Sequence, residues 1–251
     1  MYVSDAGPTS ADPVVLLHGG GVAGWMWDAV RARLETTYRV IVPDLPGHGR
    51  SADEPYISHT HTLELLRSSL SAAVQDRPLS IIGFSLGAQL AIRAASEWPG
   101  LVERVAVISA QAKPLPFPAM TLQALKLTAP LARQRWFAKL QAKELFIPSR
   151  LMEDYISTSA AITAPTLLAA VRDNIAFQVP AGWASFPGQA LVMVGEKERR
   201  LMRDSASTIH TALPTSELEI VRDCGHGIPL QQPEWFAERM IEWMADGRRR
   251  R

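Results

Sequence analysis

Three residues far apart in this 251-residue chain could together turn an unreactive hydroxyl into a nucleophile. Ser85 stands in Gly83-Phe84-Ser85-Leu86-Gly87, His226 stands between Gly225 and Gly227, and an acid lies near Glu198. A serine hydroxyl is a poor nucleophile at neutral pH. It needs a base within hydrogen-bond reach, and the base needs a carboxylate to fix its tautomer and stabilise its imidazolium form. A fourth feature, His18-Gly19-Gly20-Gly21, frees backbone N–H groups to point at an oxyanion. The chemistry implied is acyl transfer. Each feature alone has a plainer explanation: a Gly-flanked turn, a solvated loop histidine, a glycine connector. Their joint occurrence carries the argument.

The elements around these residues put them at one place. Pro13–Leu17 is a short, unbroken apolar run and reads as a buried strand, with the glycines at its end. Tyr38–Val42 is the next strand and runs into Pro43-Asp44-Leu45-Pro46-Gly47-His48-Gly49-Arg50-Ser51, a loop dense in turn residues, where His48 reads as structural. Thr62–Val74 has helical periodicity, and Leu79–Gly83 is a strand that delivers Ser85 on a sharp turn into an Ala-rich helix ending near Trp98-Pro99-Gly100. That strand–turn–helix context is what the five-residue motif requires, because crowding there excludes side chains at the flanking glycines. Val105–Ile108 is another buried strand. Alternating strands and helices imply a parallel sheet with helices on both faces and a site at the C-terminal strand ends.

The composition then shifts. Three prolines in 113–118 break regular structure, and from Met120 to about Phe177 the pattern is helical, with breaks at Pro130, Pro148 and Pro165. This reads as a helical insertion over the strand ends. Its large apolar residues, among them Trp136, Leu140, Leu145, Phe146 and Tyr155, are expected mostly to pack on each other and on the core, a few lining a pocket. Gln189–Gly195 resumes the sheet, Ser205–Leu213 suits a helix, Leu218–Val221 a last strand, and Trp235–Met244 a closing helix. The expected division is a first core part, 1–112, an insertion, 113–185, and a second core part, 186–251.

A formal net charge of +1 gives no electrostatic case for nucleic acid or an anionic membrane surface. A single cysteine, Cys224, rules out an intrachain disulfide and fits a reducing compartment. The start lacks the pattern of a signal peptide, and no apolar segment is long enough to cross a bilayer, so the expectation is a cytoplasmic protein. The terminal Arg248–Arg251 reads as a solvated tail. His59 and His61 have the spacing of a metal pair, but no further ligands follow closely, so no metal and no cofactor are expected.

The chain resembles the α/β-hydrolase fold superfamily along almost its whole length. The resemblance rests on Leu17-His18-Gly19-Gly20, Asp44–Ser51, Gly83–Gly87, Val194-Gly195-Glu196-Lys197-Glu198 and Gly225-His226, and on the chain order serine, acid, histidine. It implies an oxyanion hole from the N–H groups of Gly20 and Leu86, and a cap at about 113–185. Three departures stand out. The acid position carries Glu198 rather than Asp, with Glu196 and Asp204 as alternatives and Asp223 too close to His226 in sequence. Ala88 replaces a frequent Gly. The family's first strand is missing, with only about Met1–Ser4 available for its second, which leaves one sheet edge trimmed or free to pair with another chain.

The expected function is a serine hydrolase with a Ser85-His226-Glu198 triad, cleaving an ester, thioester or lactone of a small, mainly apolar substrate. Aspartate-nucleophile activities of this fold are disfavoured because the elbow presents Ser85. One alternative is carbon–carbon cleavage or elimination on an anionic substrate, with Arg93, Arg133, Arg135, Lys139, Arg150 and Arg172 as available cations. Another is a hydrolase-fold ligand receptor with little turnover. Oligomeric state is not readable from the sequence.

Overall fold

Apolar runs bounded by turn residues form the buried strands of one seven-stranded sheet. The computed structural model describes residues 1–74, 77–129, 131 and 134–249. The strands are β1 (Val3–Ala6), β2 (Pro13–Leu17), β3 (Arg39–Pro43), β4 (Leu79–Phe84), β5 (Val102–Ile108), β6 (Gln189–Gly195) and β7 (Glu217–Val221). Their order is β1-β3-β2-β4-β5-β6-β7. All neighbours are parallel except β1, which runs antiparallel along β3 at the sheet edge. The short N-terminus therefore does form an edge strand, two residues later than its sequence suggests.

Strand side chains alternate between two apolar layers. Val15, Ile81, Val105, Val107 and Val192 face one layer, with α2 (His59–Val74), α3 (Leu86–Glu97) and α8 (Arg200–Ala212) packed over it. Val14, Leu16, Ile82, Ala106 and Met193 face the other, covered by α1 (Asp28–Leu34) and α10 (Pro233–Arg249). Truncating one of these residues, such as Ile82, to Ala would cost on the order of 2–5 kcal/mol. Register aligns the strand ends: Leu17 lies beside Gly83, Phe84 beside Ile108, Ile108 beside Met193, and Gly195 beside Val221. The loops after β2, β4, β5, β6 and β7 consequently meet at one edge.

Between β5 and β6, among the described residues, lie four α-helices: α4 (Pro118–Thr128), α5 (Arg135–Glu144), α6 (Met152–Ala161) and α7 (Ala164–Ala176). Pro165 sits in the first turn of α7, where its missing N–H costs nothing, and Thr163 accepts the Thr166 N–H there. Helix bounds differ modestly from the sequence reading, with α8 starting at Arg200 and α10 running on to Arg249. Most of the large apolar residues of 113–185 do pack inward, Tyr155 and Phe177 among them, but Trp136 and Leu140 are exceptions, 60% and 56% exposed. Pro130, Arg133, Arg250 and Arg251 lie outside the described residues. No helix among the described residues is long and apolar enough to cross a membrane.

Candidate active site

Ser85 occupies a strained hinge between β4 and α3. Its φ of 53° and ψ of −112° are a conformation that non-glycine residues rarely adopt. The turn is held by the Ser85 N–H, which donates to Ile108 O at 2.8 Å. Strand and helix touch here: a Cβ on Gly83 would lie 2.3 Å from Gly87 O, and one on Gly87 would lie 2.3 Å from Leu17 O. Only glycine fits at either place.

His226 follows β7 and precedes α9 (Ile228–Gln231), its loop pinned by the Gly225 N–H donating to Gln231 Oε1 at 2.9 Å. Its Nε2 lies 3.2 Å from Ser85 Oγ, and its Nδ1 lies 2.9 Å from Glu198 Oε2. With Nδ1–H donating to the carboxylate, Nε2 presents a lone pair to the serine hydroxyl. The Phe84 ring, centred 5.1 Å from the imidazole, walls one side.

Glu198 is 5% exposed and sits in the turn after β6. Its longer side chain folds back so that Oε1 accepts the Gly195 N–H at 3.0 Å and the Ser109 hydroxyl at 2.6 Å, which leaves Oε2 for His226. Burial pushes its pKa up. The hydrogen bond and charge of His226, with the bonds from Ser109 and Gly195, outweigh burial and hold it below the usual carboxylate range. The other candidate acids are elsewhere. Glu196 accepts the Asp223 N–H, Asp204 is placed near Lys113 and Arg200, and Asp223 pairs with Lys197.

Gly20 and Leu86 stand side by side at the cavity wall: a Cβ on Gly20 would lie 3.8 Å from Leu86 Cδ2. Among the described residues no backbone acceptor takes either N–H. The glycine loop is anchored by His18, whose Nδ1–H donates to Gly19 O at 2.8 Å and whose Nε2 accepts the Leu45 N–H at 2.9 Å. Burial, and then the neighbouring His48, push the His18 pKa down to about 3, so the ring is neutral and can play both roles. His48 is buried, its Nδ1 2.9 Å from Pro46 O, and it also reaches the cavity wall.

The cavity above Ser85 has a volume of about 610 Å³. Helices α5, α6 and α7 roof it with mainly apolar side chains, including Leu145, Phe146, Tyr155, Leu167 and Val171. Of the cations proposed from sequence, none of the described ones lines it. Arg93 pairs with Glu97, Arg135 with Glu153 and Arg172 with Asp173. Lys197 and Arg199, which sequence reasoning passed over, do line it, and so does Asn174. Ser109 was also missed. Its one visible signal is its address, directly after a buried strand, as for Ser85 and the Glu198 turn.

His59 and His61 do not form a metal pair. His59 is buried in a separate network, with Nδ1 2.7 Å from Tyr56 Oη and Nε2 3.0 Å from Gln89 Oε1. Among the described residues no group of three or more His, Cys, Asp or Glu side chains could hold a metal ion.

Comparison with known proteins accords with this architecture. Residues 14–239 match the model of the alpha/beta hydrolase family. The chain belongs to that family. An uncharacterized protein of Mycobacterium tuberculosis is 27% identical over 242 residues, covering 86% of this chain and 70% of that protein. This hydrolase-family chain is also 26% identical over 250 residues to 2-hydroxymuconate semialdehyde hydrolase of Pseudomonas putida, covering 93% and 87% of the two chains. Among solved structures, an esterase from Exiguobacterium antarcticum superposes with a TM-score of 0.84 at 21% identity, covering 96% of this chain and 94% of that one. At that identity the likeness shows the shared fold.

Proposed function

We propose that this protein is a serine hydrolase cleaving the carboxylic ester, thioester or lactone of a small, mainly apolar substrate through an acyl-enzyme on Ser85. One observation carries the reading: the continuous Ser85–His226–Glu198 hydrogen-bonded chain lies on the floor of an apolar cavity. Ser85 Oγ attacks the carbonyl carbon as its proton passes to His226 Nε2. The charge on the carbonyl oxygen is taken by the N–H groups of Gly20 and Leu86, positioned beforehand and needing no reorganisation. The tetrahedral adduct collapses, the bond from the carbonyl carbon to the leaving oxygen or, in a thioester, sulfur breaks, and His226 returns the proton to the departing alkoxide or thiolate. Water then attacks the acyl–Ser85 ester, giving up its proton to His226, and the carboxylic acid leaves with Ser85 restored. Glu198 keeps the Nδ1 proton in place and offsets the imidazolium charge throughout. Residues 113–185 act as a cap that excludes bulk water and selects the acyl group. The working compartment is the cytoplasm, in keeping with the single unpaired Cys224, and the partner is the small-molecule substrate.

A second reading is carbon–carbon hydrolysis. It is supported by the similarity to the Pseudomonas putida hydrolase and by Lys197 and Arg199 on the cavity wall, which suit an anionic substrate. A p-nitrophenyl ester series from acetate to decanoate tests both. Turnover by the native protein that collapses in Ser85→Ala and His226→Ala supports the ester reading. Absence of turnover across the whole series sinks it and moves the assignment to carbon–carbon substrates or a receptor.

A further inference from the structure

The near-zero net charge of the chain conceals an uneven distribution. Residues 113–150 contain seven lysines and arginines against one acid, Glu144, while the whole chain is only +1, so the rest is acidic. The same stretch holds α4 and α5, and both turn apolar side chains to solvent. On α4 and its flanks Phe117, Met120, Ala124, Leu127 and Leu131 recur at three- and four-residue intervals and are all exposed, with Phe117, Met120 and Leu127 at 73%, 70% and 83%. The opposite side of α4, through Leu122, Leu125 and Ala129, faces the protein, so the helix is apolar on two sides. On α5, Trp136 and Leu140 are exposed one turn apart, beside exposed Lys139 and Lys143. Apolar side chains protruding this far are costly to leave in water and mark an interaction surface.

We infer that the exposed sides of α4 and α5 dock on an anionic lipid surface. Three features select that occupant. The flanking charges, Lys126, Lys139 and Lys143, are basic, and anionic headgroups attract such clusters. The apolar residues protrude singly, as insertion among acyl chains requires, and Trp136 is of the type that settles at the interface. A second copy is disfavoured because pairing this face with itself would set one basic surface against another. The geometry also gives docking a consequence. Gln141 and Leu145, on and just beyond α5, line the cavity, so the helix that would lie on the lipid also roofs the site. A lipid-dissolved substrate would reach the cavity from that side.

The test is sedimentation of the full chain with vesicles of phosphatidylcholine alone and of phosphatidylcholine with an equal part of phosphatidylglycerol, at low and high salt. Binding is read without turnover, so the result does not depend on the proposed ester chemistry. Docking predicts more than about tenfold tighter binding to the anionic vesicles, lost at high salt. Both Met120→Asp/Leu127→Asp and Lys139→Glu/Lys143→Glu should abolish binding and keep the native melting temperature, since all four side chains are solvent-exposed. Equal binding to both vesicles, or none, overturns the inference. So does a dimer in light scattering that Met120→Asp/Leu127→Asp dissociates, which would assign the face to a second copy. Retention on polyglutamate that ignores Met120 and Leu127 would overturn it in favour of an acidic protein.

Discussion

Two histidines of this chain each lie within 3.3 Å of a carboxylate, His226 beside Glu198 and His59 beside Asp173, yet only the first pair lines the cavity above Ser85. The difference is in the other ring nitrogen. Gln89 Nε2 donates to the carbonyls of Gln111 and Asn174, which turns its Oε1 toward His59 and requires a proton on His59 Nε2. On the other side of the ring, His59 Nδ1 lies within hydrogen-bond reach of both the Tyr56 hydroxyl, kept protonated because burial pushes its pKa up, and Asp173. Both nitrogens are thus spent on partners with no reactive role, in a network that ties α2, α3 and α7 together. At His226 the carboxylate takes Nδ1, and Nε2 is left facing a hydroxyl that a substrate could reach. A histidine–carboxylate pair becomes a catalytic candidate through what its far nitrogen meets.

That contrast can be broken at several points. The largest effect should come from Ser85→Ala or His226→Ala, each lowering kcat/KM for a p-nitrophenyl ester by at least about 10³-fold. His59→Gln should lower the melting temperature and leave the turnover of the folded fraction within about threefold. Comparable losses at both histidines would dissolve the distinction. Glu198→Gln should lower kcat on the order of 10²–10⁴-fold with KM little changed. Glu198→Asp should also lose activity, although aspartate is the usual residue of the family, because the shorter side chain cannot keep Gly195, Ser109 and His226 all satisfied.

Ser109→Ala sharpens the comparison from the acid's side. Removing the 2.6 Å hydroxyl donor to Glu198 Oε1 frees the carboxylate to rotate away from His226. The expected result is about tenfold lower kcat at unchanged KM. A rise in KM alone would mean that Ser109 shapes the cavity instead of orienting the acid.

The smallest effect is on pH-dependent stability at Asp173. Burial alone would raise its pKa, but hydrogen bonds from the His59 side chain and backbone and from Arg172 hold it at about 2, against an ordinary 3.8. A depressed carboxylate favours the folded state once pH exceeds the ordinary value, and that contribution fades as pH falls toward the folded one. The melting temperature of the native protein should therefore exceed that of Asp173→Asn near neutrality, and the gap should close between about pH 4 and pH 2. A gap that persists at pH 2 would show that charge at Asp173 is not what holds α7 to α2.

Much of this site is legible in the sequence. Strand runs such as Val14–Leu17 and Leu79–Phe84 declare themselves because burial on both faces demands unbroken apolar residues, and the turn at Ser85 declares itself because close approach demands glycine. Local rules of that kind decided the sheet, the elbow, His226 and the helical character of the insertion, and the charge imbalance over 113–150 was also open to counting. Other features came only from the tertiary structure. Glu198, and not Glu196 or Asp204, meets His226 because a turn after β6 aims it, and Ser109 reaches Glu198 because β5 and β6 end side by side. The surroundings of His59 are of the same kind: Tyr56 lies just upstream, but Gln89 and Asp173 are brought to it from α3 and α7. Nothing in periodicity distinguishes the two apolar sides of α4, since a helix records the spacing of its apolar residues but not which side the rest of the protein covers.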